Sequence, residues 1–224
     1  RRSVEEGPAA TSLLARSLCR RPFKSHNVIV HLRKATQGPV AERNCHPFLR
    51  RLWDREWVFA HNGHLRDLPP VDLDAPFQPQ GETDSERAFC AILGGLAETF
   101  GAHAPSLPRL RVALTRLTAG LARHGTFNYL LSDGEHLFAH CSTDLYWLRR
   151  EAPFGTARLV DCPRRIDFSR VNHVDDRITV VATRPLTSNE AWTPFVPGEL
   201  KLFRLGAEAR HELPDRARAL ALAQ

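Results

Sequence analysis

At 224 residues the chain fits one large domain or at most two small ones, and its 42% hydrophobic content suits a globular protein with a real core. Its longest apolar runs, residues 178–182 and 219–223, are far too short to span a bilayer, and no charged-then-apolar leader points to export. The net charge of +6 rests on dispersed arginines, in pairs such as Arg20-Arg21, Arg50-Arg51 and Arg149-Arg150 rather than in a patch, so a nucleic-acid partner is not expected.

In chain order, a short amphipathic stretch around residues 12–18 precedes a β-branched run at 27–31 (Asn-Val-Ile-Val-His), which predicts a strand. Residues 56–61 predict a second strand, ending in the turn dipeptide Asn62-Gly63. Residues 68–80, rich in proline and aspartate, predict a loop. A helix is expected over 83–100: Thr83 caps it, Glu86 sits three residues on, and Phe89, Ile92, Leu93, Leu96 and Phe100 recur at helical spacing. A second amphipathic helix is expected over 107–124, with Leu110, Leu114, Leu117 and Leu121 on one face. Strands follow at 126–132, 135–141 and 145–149, the first two joined as a hairpin through Asp133-Gly134. Further strands are expected at 178–183 and 199–205, and a terminal helix at 215–223. Strands, two adjacent helices and more strands predict a layered α+β domain, read as a single unit over 1–224 with 206–224 as a tail.

Three polar clusters carry candidate chemistry. Arg33 follows the first strand, where a guanidinium can grip a carboxylate in two-pronged fashion; Thr36 stands nearby. The plainer reading is a surface salt bridge. Asn62 and Gly63 offer a side-chain amide and a backbone N–H suited to an oxyanion hole, although an Asn-Gly hairpin turn is the commoner use of that pair. Asp84 opens the 83–100 helix, where its carboxylate can bind an ammonium group or merely complement the helix dipole. His46, in Asn44-Cys45-His46-Pro47-Phe48, is either a substrate-orienting group or a hydrogen-bonded loop histidine. A Cys45–His46 nucleophile pair is disfavoured, because adjacent side chains rarely face each other. Together the clusters suit an α-amino acid whose distal carbonyl is attacked, such as glutamine or another γ-glutamyl compound. The five cysteines form no C-x-x-C pair, so neither a metal site nor a disulfide framework is signalled, and a reducing cytoplasm is the simplest home.

Taken in order, His31-x-Arg33-x-Ala35-Thr36-x-Gly38, Asn44-x-His46-Pro47-Phe48, Trp57-x-Phe59-Ala60-His61-Asn62-Gly63 and Gly81-Glu82-Thr83-Asp84-Ser85-Glu86 resemble a class-II (Ntn-type) glutamine amidotransferase. The segments around Phe127–Gly134 and 182–192 are similar to the stand-alone bacterial YafJ-type subgroup. The resemblance implies a four-layer αββα sandwich. It implies that Arg33 grips the substrate α-carboxylate and Asp84 its α-ammonium, that Asn62 and Gly63 form the oxyanion hole, and that Thr36 and His46 line or support the pocket. It implies no cofactor. The family nucleophile is an N-terminal cysteine, which Arg1 is not, so the absence of methionine and the Arg1-Arg2 start lead to the expectation that it lies upstream. Three activities stay open: glutamine hydrolysis with ammonia passed to a separate acceptor protein, hydrolysis of a γ-glutamyl conjugate, and a non-catalytic glutamine-binding module. Oligomerisation is left open.

Overall fold

The computed structural model describes residues 2–5, 7, 11–20, 25–32, 41–70 and 72–209. Arg33, Thr36 and the expected terminal helix at 215–223 lie outside this range. Among the described residues, helix α1 (Leu13–Arg20) is followed by a hairpin of β1 (Phe48–Leu52) and β2 (Arg55–Leu65). Helices α2 (Asp84–Phe100) and α3 (Leu107–Ala122) come next, then β3 (Gly125–Ser132), β4 (His136–His140) and β5 (Tyr146–Arg150). The chain continues through the short pair β6 (Thr156–Arg158) and β7 (Arg165–Asp167), then β8 (Ile178–Ala182), β9 (Thr193–Pro194), β10 (Leu200–Arg204) and β11 (Ala207–Glu208).

Among the described residues the main sheet has six antiparallel strands in the order β1-β2-β3-β4-β10-β11, and a second sheet has the order β8-β5-β9. Strand periodicity puts alternate residues on opposite faces, and the core divides accordingly. Trp57, Phe59, Phe127, Tyr129, Leu131, Phe138 and Leu202 meet Phe89, Ile92, Leu93, Leu96, Leu110 and Leu114 of α2 and α3 in one cluster. On the opposite face Ala139 and Phe203 meet Leu145 and Phe195, with Leu130, Leu137, Trp147 and Val181 packed around them. The described residues thus stack as helices, sheet and sheet, with the α+β character expected from the order of elements.

Helix α2 forms as its sequence dictates. Thr83 is the N-cap, and its hydroxyl accepts from the Glu86 N–H at 3.2 Å. The capping box is only half made, because the Glu86 side chain is used elsewhere. Two expectations require correction. Residues 27–31 are extended but join no ladder among the described residues; Val28, Val30 and Leu32 are exposed, while Asn27, Ile29 and His31 are half-buried. Asn62-Gly63 is not a turn, since β2 runs on to Leu65 and pairs Asn62 with Asn128 and Gly63 with Phe127. Local turn preference loses there to the eight-residue pairing with β3.

Candidate active site

The site is built on the second half of β2. β1 covers this strand only as far as Phe59, opposite Phe48. In an antiparallel strand the N–H and C=O of one residue point to the same side, and successive residues alternate. Residues 57 and 59 face β1, so His61, Gly63 and Leu65 present their peptide groups to that same edge beyond the end of β1. The contacts there agree: the His61 carbonyl bonds to His31 Nε2 at 3.1 Å, and the Leu65 N–H donates to Asp84 Oδ2 at 2.7 Å. The Gly63 N–H therefore points from the edge segment bracketed by His31 and Asp84.

Gly63 is required by close approach. A Cβ there would collide with the Thr126 carbonyl oxygen and with His61 Nε2. The space it leaves free is used by His61 itself, whose Nε2 lies 3.0 Å from the Thr126 carbonyl oxygen and whose Nδ1 lies 2.9 Å from Ser85 Oγ. A carbonyl can only accept, so Nε2 carries the proton, and in the neutral ring Nδ1 accepts from the Ser85 hydroxyl. Burial pushes the His61 pKa below the ordinary imidazole value, against its bond to Thr126 and the charge of Asp84. A neutral His61 thus fastens the first turn of α2 to β2 and β3. The same logic assigns His31 and His46: if His31 Nε2 donates to His61, its Nδ1 accepts from His46 Nδ1, 3.2 Å away. His46 is buried, packed edge-on against His31 and Phe48, and reaches β2 through His31.

Asp84 is held in the first turn of α2. Besides Leu65, it accepts from the Ser85 N–H at 2.9 Å, and His64 Nδ1 stands 3.7 Å from Oδ2. The loop leading to it is clamped from below. Fully buried Glu86 accepts from the Gly81 N–H at 2.6 Å and from Arg50 Nη2 at 2.5 Å, and buried Asn44 accepts from the Glu82 N–H at 2.9 Å. Any side chain on Gly81 would strike the Asn44 amide and the Arg43 carbonyl. Sequence reasoning missed Arg50, His61 and Ser85 as positioning groups. Their partners lie 36, 65 and 24 residues away along the chain, so no local spacing advertises them.

The side chain of Asn62 faces the other way, into a cleft of about 260 Å³ between the two sheets. Its neighbour on β3, Asn128, is buried and fully used. The Asn128 amide NH2 donates to the Asn62 carbonyl and to Thr143 Oγ1, and its Oδ1 accepts from the N–H groups of Ser142 and Thr143. Ser142 Oγ in turn accepts from the Phe127 N–H at 2.7 Å. The β4–β5 loop is thereby pinned against the strand that carries Asn62.

The structure brings Gly63 and Asp84 to one end of β2, turns the side chain of Asn62 into the cleft on the other face, and places His46 one histidine behind the strand edge. Two of the described cysteines are unsuited to act as nucleophiles. Burial pushes the Cys90 thiol up to about 11 and also raises Cys141, so both stay protonated at neutral pH. Cys45 donates to the Ala41 carbonyl, and Cys162 is exposed in the β6–β7 turn. Among the described residues no group of three potential metal ligands occurs, and no helix is long and apolar enough to cross a membrane.

A family model described as "Glutamine amidotransferases class-II" matches residues 1–222. The chain is 46% identical over 198 residues to a Haemophilus influenzae protein provisionally designated a glutamine amidotransferase, covering 88% of this chain and 67% of that one. It is 44% identical over 203 residues to the Escherichia coli protein YafJ, designated in the same provisional way, covering 89% of this chain and 78% of that one. The crystal structure of a predicted glutamine amidotransferase from Pseudomonas aeruginosa superposes with a TM-score of 0.67 at 40% identity, covering 75% of this chain and 65% of that one. The chain therefore spans about two thirds to three quarters of the length of these relatives.

Proposed function

The chain belongs to the class-II glutamine amidotransferase family, and from that premise we propose that it hydrolyses the γ-amide of glutamine or of a γ-glutamyl compound to give glutamate and the free amine. The observation that carries the reading is the 2.7 Å bond between Asp84 and the Leu65 N–H, which ties the candidate ammonium binder to the strand bearing Asn62 and Gly63. An α-amino acid held by Asp84 would extend its side chain along the β2 edge toward the Gly63 N–H, two residues upstream. That N–H, held by the strand, and the side-chain amide of the adjacent Asn62 are donors suited to the charge that develops on a carbonyl under attack.

In this reading Arg33 takes the substrate carboxylate, and Thr36 and His46 shape the pocket around it. The nucleophile is the N-terminal cysteine of the family, its own amine acting as base. The thiolate adds to the γ-carbonyl carbon, the C–N bond breaks as the nitrogen takes a proton, and water then cleaves the thioester. The reading carries with it the four-layer Ntn-type sandwich, a cytoplasmic location and, where ammonia is passed on, a separate acceptor protein.

The test is glutamate release by the full-length protein from glutamine and from several γ-glutamyl compounds. Release that is abolished by replacing the mature N-terminal cysteine with alanine is the expected result. No release from any of these compounds would reject the reaction and leave glutamine binding without turnover, which calorimetry would detect.

A further inference from the structure

The cleft beside Asn62 is larger and more charged than an ammonia leaving group requires. A single water, close to ammonia in size, needs about 10–15 Å³ of such space, against the 260 Å³ found. Its outer wall carries Asp144 and Arg184 together with the hydroxyls of Thr143 and Thr183. The two charges flank the end of the second sheet: Asp144 stands two residues before Tyr146 and Arg184 two residues after Ala182, the last bridged pair of β5 and β8, and both line the cleft. Neither side chain makes an ion pair with another described residue. The wall beneath Asp144 is anchored by the Asn128 and Ser142 bonds to β2 and β3, so one charge stands on a loop already fixed to the candidate oxyanion strand.

We propose that this cleft is a leaving-group subsite, and that the substrate is a γ-glutamyl conjugate of an amino acid or peptide whose free carboxylate is gripped by Arg184. The inference rests on the amidohydrolase reading above and names its substrate class. Water adds across the γ-amide bond: the hydroxyl ends on the γ-carbon and the proton on the departing nitrogen, giving glutamate and a free amino acid or peptide. Arg184 supplies a planar fork of donors matched to a carboxylate. Asp144, on the wall of the same cleft, offers an acceptor for the N–H groups of the same portion and disfavours a second carboxylate there. Glutamine itself, whose leaving group is ammonia, leaves this wall without a partner.

The test compares γ-glutamyl-glycine with γ-glutamyl-glycinamide, which lacks only the carboxylate, on the full-length protein and its Arg184→Gln variant. The native protein is expected to prefer the carboxylate form by about tenfold or more in kcat/KM, chiefly through KM, as befits a charge-assisted pair. In R184Q that preference is expected to fall below about twofold, with an unfolding midpoint close to native because Arg184 is exposed. A preference that is absent in the native protein, or that survives intact in R184Q, rejects the subsite while glutamate release from either compound upholds the amidohydrolase reading. Absence of glutamate release from glutamine and both conjugates rejects that reading and the subsite together.

Discussion

The two halves of β2 are one strand put to different uses. From Trp57 to His61 its helix-facing side chains are buried, and they pack on α2 and β3 with Phe59 stacked on Phe89 at 5.1 Å between ring centroids. Past Phe59 the strand loses β1 as a neighbour, and further on Asn62 and Gly63 are exposed. The first half spends its side chains on burial and its peptide groups on the ladder. The second half keeps both within reach of a ligand, while remaining straight because β3 still pairs with it as far as Leu65. A rigid element thus ends in an open site, the arrangement that holds reacting groups in place without a reorganisation cost.

Substitutions on the two halves should separate stability from turnover. Phe59→Ala opens a cavity between β2 and α2 and is expected to cost about 3–5 kcal/mol in urea unfolding; a loss below 1 kcal/mol would break the contrast. Asn62→Ala is expected to lower kcat about 10²–10³-fold in glutamate release, with the unfolding midpoint held within about 0.5 kcal/mol of native because Asn62 is exposed. Glu86→Gln tests the clamp under the site. It removes the charge that Arg50 pairs with in a largely buried setting, and is expected to cost about 2–3 kcal/mol. It should also raise KM, since the loop leading to Asp84 loosens. A stability loss with no change in KM would separate that clamp from ligand binding.

The smallest effect belongs at the far end of β2, where Arg55 meets Asp133 at 2.7 Å. Burial alone would raise the Asp133 carboxyl, but bonds from His136 and Arg55 outweigh it and hold it at about 2. A carboxylate depressed on folding contributes stability above its unfolded value near 3.9 and loses it as pH falls toward 2, so the contribution fades between about pH 4 and pH 2. Asp133→Asn is expected to cost about 2 kcal/mol at neutral pH, with glutamate release unchanged. The difference from native should vanish in unfolding curves taken near pH 2, and a gap that persists there would assign the loss to packing instead.

The sequence was most legible where its signals are local. Thr83 as cap, the apolar spacing of α2 and α3, and the Asp133-Gly134 hairpin all depend on neighbours a few residues apart, and each element stands within two residues of its expected end. It was least legible where a local preference meets a distant partner. The run at 27–31 has the composition of a strand, yet the ladder that would make it one is absent among the described residues. Asn62-Gly63 has the composition of a turn and is strand instead. The candidate site shows the same division: Asn62, Gly63, His46 and Asp84 were named from their motifs, whereas Arg50, Ser85 and Asn128 acquire their places only through long-range contacts.

By itself, then, the sequence determined the two central helices, the β3–β4 hairpin and the set of donors and carboxylates that point to an α-amino acid, because capping, periodicity and side-chain chemistry are properties of short segments. The tertiary structure alone decided that Asn62 and Gly63 lie in a strand, that His61 is neutral with its proton on Nε2, and that a charged wall stands beside the oxyanion candidates. Those outcomes depend on pairing, burial and register between segments tens of residues apart, where the energy of an extended ladder and the cost of burying charge exceed any local preference.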